Sequence, residues 1–454
     1  MRDKTAPVKK KDSTAEEGPK KVQRRKHRVE DPRARHRRHE AMEAMKMLDH
    51  LRRDFTEPLK SMEYFYDLFE RVYCNGEVLH SGKPTVGTLC IQIPYEIIYA
   101  IDAVPVRLCN GFHTDEQSGG EFMPAKSCSL VKATLGMLKQ KDIPAVGKLD
   151  FMVHPTTCDQ KTKAITLIEE MDYDVYHMEF PRVKESEESR EYWRRTVRKF
   201  TKDLSRGLGR KITRGRLKEA ITKVGRAQLA YHRLNELRKS DPVPILGKDI
   251  FLITNAFFFD DIERWTEMTL KVCEEVEKRA KEGFNAAGRR SPRILYTGSP
   301  PIFPNLKLPY MIEQADAVIV ADESCSANRL FNDMVSVDEW FMYDMVDAVA
   351  DRYLKGCTCP IFTKNDDRKR RLKELCEQYA VDGVIYQSFA GCQVYEMEQR
   401  SIQQAMEKLG IPMLYVETDY SPGQGGQLST RIEAFVESLK VRKRRKNHQR
   451  GEVS

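Results

Sequence analysis

The sequence predicts an α/β chain in which two domains, each built on a parallel sheet, are joined by a helical segment. Three observations carry that reading. Short apolar runs alternate with amphipathic stretches, as expected of strands covered on both faces by helices. The alternation occurs twice, within residues 41–185 and again within 246–439, and stops over 186–245, where no strand signal exists. Each series also offers four strand candidates, with a cysteine after the second and another after the third.

Taken in order, residues 1–40 are rich in Lys, Arg and Glu and poor in large apolar side chains, a composition that predicts a disordered basic tail. Residues 41–73 have helical periodicity (MEAMKMLDHLRRDF, MEYFYDLFERVY) and are expected to pack on the first sheet domain. Its strand candidates are VGTLC, AVPVRLC, LDFMVH and YDVYHMEF, and its helices include YEIIYAID and LVKATLGMLKQ. Residues 186–245 read as a helical bridge of two amphipathic helices with a Gly-rich break, ended by Pro242 and Pro244. Residues 249–280 are mostly helical in pattern and precede the strands ILYTG, AVIVA, GVIYQ and MLYVE; residues 440–454 form a second basic tail. The sequences of the two halves do not visibly repeat, but their order of events predicts a duplicated architecture.

One unit recurs: strand, tight polar turn, cysteine, helix. Its clearest copy is LDFMVHPTTCDQK, where Pro155 stops the strand, Thr156, Thr157 and Asp159 are helix-capping types, and Cys158 falls at a helix N-terminus. The helix dipole there favours a thiolate, the form that binds metal. Further copies end at Cys325, at Cys392 and, in VGTLC, at Cys90. Carboxyl ends of parallel strands are where open α/β sheets build their sites.

Composition excludes several classes. A chain of 454 residues exceeds one ordinary core. Its net charge of +9 is concentrated in the tails: residues 1–40 hold 15 Lys/Arg against 7 Asp/Glu, and residues 440–454 hold 7 against 1, leaving the body mildly acidic. The tails lack interleaved aromatics, which argues against nucleic acid and for solvated arms. The start of the chain has no apolar signal region, and no stretch of about 18 apolar residues exists. A cytoplasmic, reducing location is therefore expected, in which eleven cysteines serve metal binding, catalysis or inert burial rather than disulfides.

Cys74, Cys273 and Cys376 lie in helical patterns and read as small buried hydrophobes. Cys90, Cys128, Cys158, Cys325 and Cys392 sit in turns, as does Cys357-Thr-Cys359-Pro360, and these are the candidate ligands; Cys109, directly at a strand end, stays open. Neither the CxxC pairs of structural zinc nor the C-x2-C-x2-C run of small ferredoxins is present, and His154 is the one nearby histidine. Dispersed ligands fit an iron–sulfur cluster held between two domains. GEVLHSGKPT has five residues between its glycines and no strand before it, so it is not a phosphate loop, and any ATP is hydrolysed by a partner. Glu96, on a first helical turn in IPYEIIYA, is a candidate proton donor, with dipole compensation as its ordinary role. Glu417, Thr418, Asp419 and Tyr420 occupy a similar strand-end position.

GTLCIQIPYEIIYA, AVPVRLC, HPTTCDQK, VDGVIYQSFAGC and ETDYSPGQGGQLSTRIEAF, separated and in this order, resemble the 2-hydroxyacyl-CoA dehydratase/benzoyl-CoA reductase family over about residues 60–440. The resemblance implies two Rossmann-like domains with an iron–sulfur cluster between them, and electrons from a dimeric activator ATPase carrying its own [4Fe–4S] cluster. The positions matching a three-cysteine [4Fe–4S] site are Cys128, Cys158 and Cys392. With Cys325, the GCTC turn, Cys109 and the GQLSTR ending, the chain looks most like the double-cubane reductase branch, homodimers with an [8Fe–9S] cluster that reduce small unsaturated molecules. Six irons of that cluster need thiolates, and Cys90, Cys128, Cys158, Cys325, Cys392 and one of Cys357 or Cys359 supply them, with Cys109 exchangeable for Cys90. The alternatives are a 2-hydroxyacyl-CoA dehydratase subunit and a non-catalytic electron carrier. The chain departs from the family in having Cys128-Ser129 where Cys-Pro is common, and in its long basic tails.

Overall fold

The computed structural model describes residues 31–451. Its strands form two separate four-stranded sheets, parallel at every pairing. The first holds β1 (Thr85–Thr88), β2 (Val104–Arg107), β3 (Phe151–Pro155) and β4 (Val175–Met178) in the order β2-β1-β3-β4. The second holds β5 (Arg293–Gly298), β6 (Val318–Glu323), β7 (Gly383–Phe389) and β8 (Met413–Thr418) in the order β6-β5-β7-β8. The orders correspond strand for strand, so the expected duplication is present in the topology. In each sheet the chain moves to one side of its first strand and then returns to the other. That reversal opens a crevice at the carboxyl ends, between β1 and β3 and between β5 and β7.

The strands are buried because helices cover both faces. Every residue of β1, β2, β5, β6 and β7 is buried, which explains why these runs show no alternation of apolar and polar residues. The edge strand β8 is only partly covered.

Between the sheets run two long helices, Glu187–Gly207 and Arg214–Leu237, capped by the hydroxyls of Ser186 and Thr213. Trp193 is fully buried and donates its indole N–H to the Ala350 carbonyl at 2.9 Å. Arg194 pairs with Asp351, and Arg198 with Asp347. The bridge is thereby fixed to helix Met342–Lys355, which leads directly into the Cys357 turn. At its far end Arg238, wholly buried, reaches Asp322 of β6 at 2.9 Å and the Ile319 carbonyl at 3.1 Å.

Two boundaries differ from expectation. Residues 1–30 lie outside the described residues, but a helix starts at Pro32, inside the stretch that composition marks as disordered. Tertiary partners explain it: His36 meets the buried Asp115 at 2.7 Å, and the Glu43 carboxylate accepts from the first backbone amides of helix His113–Gly119. Similarly, helix Gly425–Gly451 runs on into the second basic stretch, where Lys440 pairs with Asp316 and Lys443 with Asp382.

Replacing Asp322 by Ala strands the Arg238 guanidinium in the core. A loss of about 3–5 kcal/mol is expected in urea unfolding; a loss below about 1 kcal/mol would show that the pair does not hold the bridge to the second sheet.

Candidate metal centre

Loops at the carboxyl ends of the two sheets meet. Cys158 and Cys392 follow the ends of β3 and β7 by three residues each, and Cys109 and Cys325 follow β2 and β6 by two. Cys90 follows β1 by two. Cys128, Cys158 and Cys392 are each the capping residue of a helix, respectively Ser129–Gln140, Asp159–Glu170 and Gln393–Lys408. Three positive helix ends thus converge on three sulfurs. The first-turn amides of those helices lie beside the sulfurs and favour their ionised form: Val131 and Leu130 at Cys128, Lys161 at Cys158, and Tyr395 at Cys392.

The approach is close because of Gly391 and Gln160. Gly391 has φ +75°, and a Cβ there would lie 2.1 Å from the Lys126 carbonyl oxygen, so only glycine lets the Cys392 loop rest on the Cys128 loop. Gln160 accepts from the Cys128 amide at 2.7 Å and donates to the Gly391 carbonyl at 2.7 Å. One side chain beside Cys158 therefore staples the other two loops.

The cysteines fall into two neighbouring groups. In the first, Cys128 and Cys392 are neighbours, so that the Cys128 pKa is lowered and that of Cys392 raised, and Cys158 lies within electrostatic reach of both. In the second, Cys90 faces Cys359 and Cys325, and burial pushes its pKa up to about 11. Cys158 also faces Cys359, joining the groups. Cys357 accepts from the Gln92 amide at 2.6 Å, and burial is outweighed by its neighbours Cys359 and Arg329, so that its pKa falls. Cys109 lies beside Cys128, and burial is again outweighed, by Arg107 and Lys161, so that its pKa falls. Cys74, Cys273 and Cys376 stand apart in helices, where burial pushes the thiols up to about 11, 12 and 12.

Among the described residues, the group of three metal-type ligand atoms lying within 4.8 Å of one another is His36, Glu40 and Asp115, none of them a cysteine. A single tetrahedral zinc with four thiolates holds its sulfurs about 3.8 Å apart, given bonds of about 2.3 Å. No three of the described sulfurs are gathered that tightly, and separate irons of a polynuclear core require the wider spacing. His154 is no ligand: it is buried, bonded to the Pro155 carbonyl, and kept neutral by a pKa that burial lowers to about 3.

The charge balance points the same way. Several buried cations at the gap have carboxylate partners: Lys184 has Asp367, and Arg329 and Arg368 share Glu323. Glu323 also holds the Thr358 hydroxyl at 2.7 Å, fixing the turn between Cys357 and Cys359. Arg107 and Lys161 are different. Arg107 donates to the Cys325 carbonyl at 2.6 Å and to its sulfur at 3.4 Å, while Lys161 donates to the Leu89 carbonyl at 2.6 Å. Burial works against both charges, yet neighbouring thiolates hold both pKa values up. Their partners among the described residues are sulfurs and carbonyls, with no carboxylate.

Sequence reasoning missed Arg107, Lys161, Gln92 and Gln160. One signal was legible: a lysine in the first turn of a helix opposes the dipole and calls for a nearby anion. Glu96 is fully buried, accepts from the Tyr353 hydroxyl at 2.9 Å, and leaves its other oxygen without a partner. It does not line the cavity at the cysteines. Of the run expected to follow the last strand, Glu417 is exposed and lies within β8, whereas Tyr420 is buried beside Cys128, Cys109 and Cys392 and donates to the Asn110 carbonyl at 3.0 Å.

The cavity has a volume of about 440 Å³ and is lined by Cys128, Cys158 and Cys392, with Arg182 and Lys369 as cations and Phe362 on an apolar wall. The second cysteine group does not line it.

In metal-free protein, oxidation is expected to trap a Cys128–Cys392 disulfide, read by mass spectrometry. Gly391→Ala should reduce that yield severalfold by forcing the two loops apart; an unchanged yield would contradict the close backbone approach.

The family model of the 2-hydroxyglutaryl-CoA dehydratase D-component matches residues 90–439, a span containing all eight cysteines at the gap. Among individual proteins, the putative dehydratase subunit YjiM of Escherichia coli (strain K12) is 31% identical over 79% of this chain and 92% of its own length. The (R)-phenyllactyl-CoA dehydratase beta subunit of Clostridium sporogenes is 21% identical over 83% of this chain and 97% of its own length. A benzoyl-CoA reductase subunit of Thauera aromatica is 22% identical over 79% and 92%. Motifs, duplicated parallel sheets and the extent of the family match agree, and the chain belongs to the 2-hydroxyglutaryl-CoA dehydratase D-component family.

Proposed function

We propose that this protein is the catalytic component of a low-potential iron–sulfur reductase, with an [8Fe–9S] double cubane held between two Rossmann-like domains. The observation that carries the reading is the division of the sulfurs into two adjoining triads. Cys128, Cys158 and Cys392 form one, and Cys90, Cys325 and Cys359 the other. Each triad suits one cubane whose remaining iron is turned toward its neighbour or toward substrate. Cys359 is preferred to Cys357 as a ligand because it faces Cys90 and Cys158, whereas Cys357 is engaged by Gln92 and lies beside Lys184. Cys90 is preferred to Cys109 because it faces two members of the second triad.

When bound, the cluster supplies single electrons at very low potential. The chain's own part is to hold six thiolates, to aim the first turns of three helices at Cys128, Cys158 and Cys392, and to limit the access of water to the second triad. A small substrate enters the cavity at the first triad, where Arg182, Lys369 and Gln160 provide polar contacts and Phe362 an apolar wall. Glu96, which accepts from the Tyr353 hydroxyl at 2.9 Å, is the candidate proton donor. Electrons come from an activator ATPase with its own [4Fe–4S] cluster, and the working unit is a homodimer in the cytoplasm. The lack, among the described residues, of any helix long and apolar enough to cross a membrane is compatible with that location.

The names of the curated relatives favour a second reading, a 2-hydroxyacyl-CoA dehydratase subunit with one [4Fe–4S] cluster on Cys128, Cys158 and Cys392. Iron and sulfide analysis of anaerobically purified protein separates the two: about eight irons per chain for the double cubane, about four for the single one. Cys158→Ala and Cys392→Ala should lose iron under either reading, and Cys273→Ala should keep it. Cys359→Ala should lose iron, and Cys357→Ala keep it, only if the second triad is occupied. Full iron in Cys359→Ala would sink the double-cubane assignment.

A further inference from the structure

We infer that Lys161 and Arg107 are positioning residues that supply the fixed positive charge biasing the cluster toward its reduced state, Lys161 acting on both cysteine triads and Arg107 on the inner one. The inference rests on the iron–sulfur reading above and goes beyond it, since neither residue is a ligand.

The geometry separates their roles. Lys161 lies three residues past Cys158 on the helix that Cys158 caps, and its ammonium is anchored to the Leu89 carbonyl, immediately before Cys90. It therefore neighbours one cysteine of each triad, together with Cys109. Arg107 ends β2 in the first sheet and crosses to the second half, where it grips both the carbonyl and the sulfur of Cys325. Its guanidinium is stacked 4.4 Å from the Phe258 ring centroid, so it cannot swing away, and its Nε is buried without a hydrogen-bond partner.

A buried cation without a carboxylate is costly unless another anion faces it. Lys184, Arg329 and Arg368 meet carboxylates nearby, whereas Arg107 and Lys161 face sulfur. Each electron added to the cluster increases its negative charge, so a fixed cation beside the thiolates favours the reduced form. Lys161 also opposes the dipole of its own helix, a placement that local structure does not favour.

The test is a redox titration of anaerobically purified protein, followed by electron paramagnetic resonance, with iron measured on the same samples. Lys161→Gln should keep wild-type iron, and its reduced-to-oxidised ratio at a fixed potential should fall about tenfold, equal to about 59 mV for a one-electron couple. Lys161→Arg should stay near wild type, and Arg107→Lys should keep its iron with a smaller shift than Arg107→Gln. If Lys161→Gln loses iron while Lys161→Arg keeps it, the need for charge is upheld. An unchanged titration in Lys161→Gln, equal shifts in Lys161→Gln and Lys161→Arg, or iron loss in both overturns the inference. Wild-type protein without iron overturns the cofactor reading itself, a different result from iron-loaded wild type with indifferent variants.

Discussion

Cysteine sulfurs crowd one gap between two sheets, and the site is governed by that crowding. Eight cysteines gather where two sheets meet, and burial pushes the thiols of Cys90 and Cys158 up. The amides and helix ends aimed at Cys128, Cys158 and Cys392 favour the thiolate instead. In the metal-free chain the conflict is visible in the pairs. Neighbouring thiols diverge: Cys128 is lowered while Cys392 is raised, and Cys357 is lowered while Cys359 is raised. In the proposed holoprotein a cationic inorganic core would stabilise both thiolates of each pair at once. Much of the surrounding structure follows from this electrostatic demand.

Rigidity at the gap comes from backbone, not from the cysteines. Each member of the first triad ends a turn and begins a helix, so its Cα is fixed by two regular elements. Gly391 allows two such turns to touch, and Gln160 ties them with paired hydrogen bonds. The second triad is held differently. Glu323 sits between Arg329 and Arg368 and holds Thr358, while Arg107 reaches across from the other sheet to Cys325. A buried ionic network there does what helix ends do in the first triad. The open cavity adjoins the triad fixed by helices, and the enclosed triad is the one wrapped in charge.

Duplication explains part of the arrangement. Equivalent strand ends supply Cys158 and Cys392, and again Cys109 and Cys325. The symmetry is imperfect, because Cys325 joins a triad while Cys109 remains beside Arg107. The first strand of one half is followed by Cys90, and that of the other by Ser299 and Pro300. Two similar halves can thus frame a site whose two sides differ in exposure and in charge. The N-terminal helix adds a brace outside this symmetry, because it caps helix His113–Gly119, whose Glu116 carboxylate in turn accepts the Tyr420 amide.

The sequence by itself determined the eight strands, their parallel sense, the bridge and the cysteines at strand ends. Those features are local: uninterrupted apolar runs, capping residues and helical periodicity are written in neighbouring residues. It also separated Cys74, Cys273 and Cys376 from the rest, because a helical pattern leaves no ligand loop. Only the tertiary structure decided which thiols are neighbours. Cys128 and Cys392 are far apart along the chain, and nothing local records that Gly391 rests on Lys126. The same holds for Arg107, which belongs to one sheet and serves a cysteine of the other, and for Glu96, whose burial against Tyr353 no helical-turn argument could reveal. Pro32 shows the limit from the other side. A charged, apolar-poor stretch becomes helix there because its partners, Asp115 and the amides of another helix, are remote in sequence and close in space.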